Sequence, residues 1–206
     1  MNIFLLGATG RVGTVILENA LAAQHSIRAL VREKSKLAFD DQNLTAIVGN
    51  VLEEMDLAAA MNGADAVISA LNTGGSTTLS DSMPLIINQM NKQRIKRIIT
   101  IGTAGILQAQ SNPSLYRFQA AESKRKTTKD AEEHLKAFIS LKNSELDWTI
   151  VCPTYLPVGV RTGTYRVQKD FLPENSSSIS VYDTGDFAFA QLFSTEFIGY
   201  RVGLTY

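Results

Sequence analysis

Three glycines near the start of the sequence have the spacing of a nucleotide-binding turn. Gly7, Gly10 and Gly13 stand in the stretch GATGRVG, directly after an apolar run. Between a strand and a helix, such glycines allow a tight turn, let the backbone approach a pyrophosphate, and let the helix pack closely on the strand. The helix N-terminus adds free N–H groups and the positive end of its dipole. We therefore expect a dinucleotide here, with a plain strand-to-helix turn as the alternative; the contacting residues would be Gly7, Thr9, Gly10, Arg11, Val12 and Gly13.

The residues after the next apolar run bear on which dinucleotide is bound. An acidic residue at the end of the second strand accepts a hydrogen bond from the ribose 2′-hydroxyl of NAD, whereas an arginine suits the 2′-phosphate of NADP. This chain has Arg32 at that place, and Arg11 in the glycine turn is positioned to hold the same phosphate from the other side. The sequence therefore favours NADP(H). NAD(H) is the alternative, should the strand run one residue longer and present Glu33 to the ribose.

Short apolar runs alternate with helical patterns along the chain. The runs predict strands at 2–6, 26–31, 44–48, 65–70, 97–101 and 148–152. Apolar residues at helical spacing predict helices directly after Gly13 and at 53–61, 79–92, 129–141 and 183–193, with a last strand near 201–205. This order predicts an α/β fold with a doubly wound parallel sheet and helices on both faces. The stretch 108–128 is polar and rich in Lys and Arg, and we expect a mobile surface segment there.

The composition is that of an ordinary globular protein. The 206 residues, 45% of them hydrophobic, suit a single domain over 1–206, whose substrate-side part begins at about residue 153. Twenty basic residues balance twenty acidic ones, so no net charge favours a nucleic acid or a membrane as partner. No apolar stretch reaches the roughly 18 residues that a membrane span needs. We expect a small-molecule partner, a cytoplasmic location, and a monomer or homodimer.

Cys152 is the single cysteine, and it lies in the apolar run TIVC. One cysteine excludes a disulfide framework and a cysteine-based metal cluster. A buried free thiol is usually inert, and we predict a structural role for Cys152 and no metal site.

Seven pieces of the chain, in fixed order, resemble the atypical short-chain dehydrogenase/reductase superfamily. They are GATGRVG, LVREKSKL, VGNVLE, ADAVISAL, KRIITIGTAG, KDAEEHLKAFISLKNSELDWTIVCPTYL and TGTYRV. The nearest groups are the NmrA-like proteins and the group around biliverdin reductase B, a flavin reductase. The likeness covers almost the whole chain and implies a single Rossmann-like domain that binds NAD(P).

The resemblance also implies which residues contact the dinucleotide. They are Asn50 and Val51 at the adenine, Ala70, Leu71 and Asn72 along the ribose and pyrophosphate, Thr103 facing the nicotinamide, and Pro153, Thr154 and Tyr155 closing over its carboxamide. These places follow the carboxyl ends of the predicted strands, where open parallel sheets bind ligands. Two positions depart from the family pattern. Asn50 replaces an Asp and both donates and accepts, and Cys152 stands where relatives often carry Arg.

The acid of the usual short-chain dehydrogenases is missing from its expected helix. Those enzymes pair Tyr and Lys as Y-x-x-x-K, because residues four apart on a helix share a face and the Lys lowers the phenol pKa. The one match, Tyr165 with Lys169, lies in a segment that resembles a strand or hairpin, where residues four apart are roughly 13 Å from each other. On the expected helix the lysine is Lys129, but Arg125 stands four residues before it.

A reaction that needs only hydride donation can proceed without this acid. We therefore expect an NADPH-dependent reductase of a planar conjugated acceptor, a flavin, quinone or linear tetrapyrrole, with Thr103 and Lys129 lining the catalytic site. Lys129 is alternatively a surface cation.

A different class of function is an NmrA-type redox sensor that binds NADP(H) without turnover, with ESKRKTTK as a docking surface or simply a solvated face. A nucleotide-sugar epimerase is disfavoured, since it needs the Tyr and a larger substrate domain.

Overall fold

The computed structural model describes residues 1–123 and 125–206. Lys124, which belongs to the basic stretch ESKRKTTK, lies outside the described residues. The strands are β1 (Asn2–Leu6), β2 (Ser26–Val31), β3 (Leu44–Val48), β4 (Ala66–Ser69), β5 (Arg97–Ile101), β6 (Asp147–Pro153), β7 (Arg166–Lys169) and β8 (Tyr200–Thr205). The α-helices are α1 (Arg11–Ala22), α2 (Glu54–Met61), α3 (Thr78–Lys92), α4 (Lys129–Lys142) and α5 (Val181–Ala190).

All eight strands join one sheet in the order β3-β2-β1-β4-β5-β6-β8-β7. Every described pairing is parallel except that of β7 with β8. The chain runs outward from β1 to β3 and then returns to place β4 on the other side of β1. The carboxyl ends of β1 and β4 therefore border the switch point, which is where doubly wound sheets bind their ligands.

The central strand β1 is buried on both faces, which explains its continuous apolar sequence. Ile3 and Leu5 pack into one core with α1 and α5, while Phe4 and Leu6 pack into a second core with α2, α3 and α4. This division follows from the alternation of side chains along a strand. The helices thus cover both faces of the sheet, and the α/β doubly wound fold expected from the sequence is confirmed.

Four strands, β1, β2, β3 and β5, have the bounds that the apolar runs predict. The first helix begins earlier than predicted, at Arg11, because Gly10 caps it with an extended backbone. The last helix also begins earlier, at Val181, since the Ser180 hydroxyl accepts a hydrogen bond from the Asp183 N–H. It ends at Ala190 and continues as a short 3-10 turn. The edge strand β7, which the apolar runs did not predict, meets β8 antiparallel and is the exception in an otherwise parallel sheet.

The segment 108–128, expected as a mobile surface stretch, is tied to the fold through its first part. Gln108 donates from its backbone N–H to the Asp170 carbonyl at 2.8 Å, and Arg117 donates likewise to Leu107 at 2.7 Å. Ala109 is fully buried. Polar composition predicted exposure but could not reveal these backbone bonds. None of the helices described here is long and apolar enough to cross a membrane.

Candidate functional site

The glycine turn joins β1 to α1 with very little space between backbones. A Cβ on Gly13 would lie 2.0 Å from the Gly7 carbonyl oxygen, and one on Gly7 would lie 2.5 Å from the Ala70 oxygen, in a backbone with φ of +76°. These two glycines are therefore required by the fold itself. A Cβ on Gly10 would come no closer than 3.3 Å to the Gly7 oxygen, so its side of the turn is open.

The N-terminus of α1 lies at this open side. Gly10 is its N-cap, and no side chain of the described residues caps the helix. The first N–H groups of an α-helix have no partner within the helix and favour an anion. A cradle that a side chain on Gly10 would fill, beside free N–H groups, fits the pyrophosphate of a dinucleotide. Thr9 lies in this turn and is exposed, whereas Val12 lies in the first turn of α1 and is buried; their contact with a dinucleotide stays a prediction.

Arg32 follows β2 directly and is exposed beside the glycine turn, because β2 is the neighbour of β1. The competing residue, Glu33, has its carboxylate engaged elsewhere: it accepts from the Ser35 hydroxyl at 2.5 Å and pairs with the Lys36 amino group at 2.8 Å. The Lys36 contact first, and then the Ser35 hydrogen bond, lower the Glu33 pKa. The Glu33 carboxylate is thus engaged by its neighbours, whereas the exposed Arg32 takes part in none of the described side-chain hydrogen bonds or ion pairs.

Arg11, predicted to join Arg32 on a 2′-phosphate, has a backbone partner of its own in the structure. The guanidinium of Arg11 donates to the Leu156 carbonyl at 3.0 Å, in the loop after β6. Arg11 would have to release this carbonyl before it could join Arg32 on one phosphate. Spacing in the sequence placed both residues near the turn, but it could not show which backbone carbonyl would attract Arg11.

Asn50 and Val51 follow β3, at the same edge of the sheet. The side-chain oxygen of Asn50 accepts from the Leu52 N–H at 3.1 Å, and its own N–H donates to the Asp56 carboxylate at 2.8 Å. Val51 is half-buried against the second core. The side-chain oxygen of Asn50 thus holds the turn that follows β3, while the residue itself is exposed to solvent.

The loop after β4 carries Ala70, Leu71 and Asn72. Ala70 donates to the Leu6 carbonyl at 2.9 Å, so this loop begins next to the glycine turn. The Asn72 side chain accepts from the Thr73 N–H at 2.8 Å. The buried hydroxyl of Thr73 donates to the Asp130 carboxylate at 2.6 Å, which ties the loop to the first turn of α4.

Thr103 follows β5 and receives a partner that the sequence reasoning missed. Its hydroxyl accepts hydrogen bonds from the Gly105 N–H, at 3.4 Å, and from the guanidinium of Arg125. Arg125 lies so close over Gly105 that a Cβ there would be 3.1 Å from the Arg125 Nε. The sequence signal was present, since Arg125 stands at the tyrosine place of Y-x-x-x-K, but that pattern gave no reason to expect contact with Thr103.

Lys129 is not brought into contact with Thr103 among the described hydrogen bonds and ion pairs. It is the first residue of α4 and is exposed, and its backbone N–H donates to the Thr127 hydroxyl at 3.4 Å. A residue at the start of a helix points its side chain away from the turns that follow. The role of Lys129 in lining the site beside Thr103 therefore stays a prediction, and the side chain that contacts Thr103 in the structure is that of Arg125.

His134 lies one turn along α4 from Asp130 and was not singled out by the sequence. Burial, and then the nearby positive charge of Arg125, lower its pKa to about 4, although Asp130 and Glu133 act in the opposite direction. The imidazole is therefore neutral at pH 7. A neutral ring beside Arg125 adds no second positive charge to this end of the site.

Pro153 ends β6, and Thr154 and Tyr155 follow it at the edge of the sheet where the other parallel strands also end. Thr154 donates to the Leu204 carbonyl at 3.2 Å, and the Tyr155 carbonyl accepts from the Ile179 N–H at 2.9 Å. The backbone of this segment is thus fixed, while the Tyr155 side chain is 72% exposed. An aromatic ring held this way is available to cover a planar ligand.

Tyr165 and Lys169 are separated as the strand geometry predicts. The Tyr165 ring packs edge-on against Phe187, with centroids 5.8 Å apart. The Lys169 amino group lies over the Tyr200 ring at 4.7 Å. Tyr165 immediately precedes β7 and Lys169 ends that strand. The two residues therefore do not form the Tyr–Lys pair that a helix would bring together.

Cys152 is fully buried near the end of β6. Burial raises the pKa of its thiol to about 12, so it is protonated at neutral pH. Within the described ranges, no group of three or more His, Cys, Asp or Glu side chains is placed to hold a metal ion.

Known proteins include chains that are similar to this one in sequence and in structure. A model of the NAD(P)H-binding family matches residues 7–195. A solved structure named as a candidate epimerase from Bacteroides thetaiotaomicron is 27% identical, with a TM-score of 0.85, over 100% of this chain and 96% of that chain. A short-chain dehydrogenase/reductase of wide type from Veillonella parvula, in complex with NADP, is 20% identical, with a TM-score of 0.81, over 100% and 94% of the two chains. A candidate NADH-flavin reductase from Streptococcus pneumoniae is 24% identical, with a TM-score of 0.79, over 100% and 99%.

Proposed function

Because the chain belongs to the NAD(P)H-binding family, we propose that it is an NADPH-dependent oxidoreductase that transfers a hydride to a planar conjugated acceptor of flavin, quinone or tetrapyrrole type. The observation that carries this proposal is the environment of Thr103. Its hydroxyl is bonded to the guanidinium of Arg125, and α4 contains no tyrosine. A guanidinium does not give up its proton in the way that a phenol acid does.

A conjugated acceptor suits a site of this kind. When bound, the dinucleotide would supply the hydride, and the proton that completes the reduction would come from water. The chain's own residues bind and orient: the open side of the glycine turn faces the pyrophosphate, and the exposed Tyr155 ring covers planar ligands. Holding two reactants in a productive geometry can by itself supply a large part of a rate enhancement.

The names of similar structures agree in part with this proposal. The Streptococcus pneumoniae protein is named for flavin reduction and the Veillonella parvula protein was crystallised with NADP. The Bacteroides thetaiotaomicron protein is named for epimerase chemistry. Epimerase chemistry is disfavoured for this chain, because Tyr165 packs against Phe187 and no tyrosine occupies α4.

The proposed preference for NADPH rests on Arg32. We expect Arg32→Ala to raise the Kd of NADPH roughly 10- to 100-fold, since hydrogen bonds to charged groups contribute about 1.5–3 kcal/mol. The Kd of NADH should change less than about threefold. Calorimetric titration with each nucleotide measures both. Lys142→Ala, an exposed cation at the far end of α4, is the matched control and should change neither. An equal loss for both nucleotides would remove Arg32 from the 2′-phosphate.

Tyr165→Phe tests the assignment of the missing acid. The change removes only a hydroxyl, and the ring keeps its packing against Phe187. We expect the NADPH oxidation rate to change less than about twofold, because a group outside the reaction contributes no transition-state stabilisation. The rate is followed by nucleotide absorbance with saturating acceptor. A loss of tenfold or more would show that Tyr165 acts as the acid after all.

The function itself is tested by NADPH oxidation with FMN, a naphthoquinone and biliverdin as acceptors. Turnover with at least one of them is the expected result. Tight binding of NADPH without oxidation by any acceptor would support the alternative, an NADP(H)-binding redox sensor. The exposed Lys126 and Lys129 of the basic stretch would then be the first residues to examine as a docking surface.

A further inference from the structure

Arg125 carries a positive charge that its described surroundings do not neutralise. No carboxylate of the described residues lies within ion-pair distance of its guanidinium. Asp130, the acidic neighbour that favours its charged form, already accepts a hydrogen bond from the Thr73 hydroxyl. Arg117 repels it and is itself paired with Glu122 at 3.3 Å. The guanidinium beside Thr103 is therefore a cation without a direct carboxylate partner among the described residues, although Asp130 lies close enough to favour its charge.

The position of this charge is fixed by the backbone beneath it. The guanidinium lies over Gly105 and donates to Thr103, which follows the carboxyl end of β5. A guanidinium has five N–H donors in a planar fork, so the bond to Thr103 leaves others for a ligand. The side chain remains accessible to solvent. An arginine that is anchored at one donor and open at the rest is suited to bind a carboxylate or phosphate in a bidentate manner.

We propose that Arg125 is a specificity-determining residue that selects acceptors carrying a carboxylate or phosphate group. The proposal rests on the function given above, since it places the acceptor next to Thr103. The shared chemistry is an oxyanion attached to a conjugated ring system. It arises either as the phosphate of a flavin nucleotide or as the propionate carboxylates of a linear tetrapyrrole.

Two matched pairs of acceptors distinguish these sources. FMN and riboflavin share one ring system and differ in a phosphate, while biliverdin and its dimethyl ester differ in their free carboxylates. In at least one pair, we expect kcat/KM for the anionic member to exceed that of its neutral partner about tenfold or more in the unmodified protein. Tenfold corresponds to about 1.4 kcal/mol. The pair that shows the preference identifies the oxyanion.

Arg125→Gln should abolish this preference by raising KM for the anionic acceptor about tenfold more than for its neutral partner. Arg125→Lys keeps the charge without the fork, and we expect it to restore part of the preference. Lys126→Gln, at an exposed cation next in sequence, is the control and should leave the ratio unchanged. A merely structural role for Arg125 would instead lower kcat/KM for both members of a pair equally, with a fall in Tm.

The outcomes separate this proposal from the proposed function. Turnover without preference in either pair, or a preference that persists in Arg125→Gln, overturns the role of Arg125 and leaves the reductase intact. Absence of turnover overturns the reductase. In that case the Kd values of the same four compounds are measured with NADP+-saturated protein. A preference for the anionic members that Arg125→Gln removes would uphold Arg125 as an anion-binding residue, and equal or undetectable binding would overturn it.

Discussion

Gly13→Ala is expected to lower the free energy of unfolding by about 3 kcal/mol or more, because the new Cβ would lie 2.0 Å from the Gly7 carbonyl oxygen. Neither backbone can move easily, since the Gly7 oxygen also accepts a hydrogen bond from the Gly10 N–H at 2.9 Å. For a chain of this size the corresponding fall in Tm is roughly 6–12 °C. Thermal unfolding followed by circular dichroism measures it.

Gly10→Ala is the matched control for this change. Its Cβ would be 3.3 Å from the Gly7 oxygen, a tight contact but a far smaller overlap than the 2.0 Å at Gly13, so the fall in Tm should be clearly smaller than that of Gly13→Ala. Binding of NADPH should nevertheless weaken, because the methyl group occupies the side that the pyrophosphate approaches. If Gly13→Ala kept its Tm, α1 would have to be able to move away from β1, and the close packing would not be required.

Asp183→Asn is expected to cost about 2–4 kcal/mol of stability, since the donors that surround this buried position lose their charged acceptor. The fully buried carboxylate accepts from the Tyr206 hydroxyl at 2.6 Å, the Thr162 hydroxyl at 2.7 Å and the Gly163 N–H at 2.9 Å. The amide keeps the shape but turns one acceptor into a donor. Denaturant unfolding at pH 7 measures the loss, and Asp40→Asn, at an exposed position, should cost less than about 0.5 kcal/mol.

The Asp183 carboxylate also contributes to the stability of the fold in a pH-dependent way, and the direction of its pKa shift gives the sign of this dependence. Burial alone would raise the Asp183 pKa, but the hydrogen bonds from Tyr206, Gly163 and Thr162 outweigh it and hold the pKa below its ordinary value. A group whose pKa is lowered by folding stabilises the protein above its unfolded pKa, about 3.9 for Asp, and loses that contribution as the pH falls through the folded value. The difference in free energy of unfolding between the unmodified protein and Asp183→Asn should therefore disappear below about pH 4. A difference that is independent of pH would assign the loss to shape alone.

The sheet could be predicted from the sequence because its signals are local. A run such as Asn2–Leu6 is apolar at every buried position, and a glycine follows directly where the strand must turn. The family resemblance is confirmed by the NAD(P)H-binding match over residues 7–195. The residues assigned to the dinucleotide stay a prediction.

The contacts that could not be predicted join residues far apart in sequence. Arg125 reaches Thr103 across 22 positions, and Asp183 accepts from Thr162 across 21. Neither pair has a periodic spacing, and each depends on where a loop returns to the sheet. Arg11 shows the same limit, since a carbonyl 145 residues away decides its direction. Sequence patterns indicate which residues stand near a site, whereas long-range packing decides which of them touch.

The position of β8 inside the sheet has a consequence for synthesis on the ribosome. β8 pairs with β6 on one side and with β7 on the other, so until residues 200–205 have been made β6 is paired only with β5, and β7 lacks the strand that joins it to the sheet. Until then β6 presents an unpaired apolar edge, the kind of edge that pairs readily with other chains. We therefore expect a nascent chain that stops short of residue 200 to need protection from aggregation, and the last strand to convert it into a complete sheet.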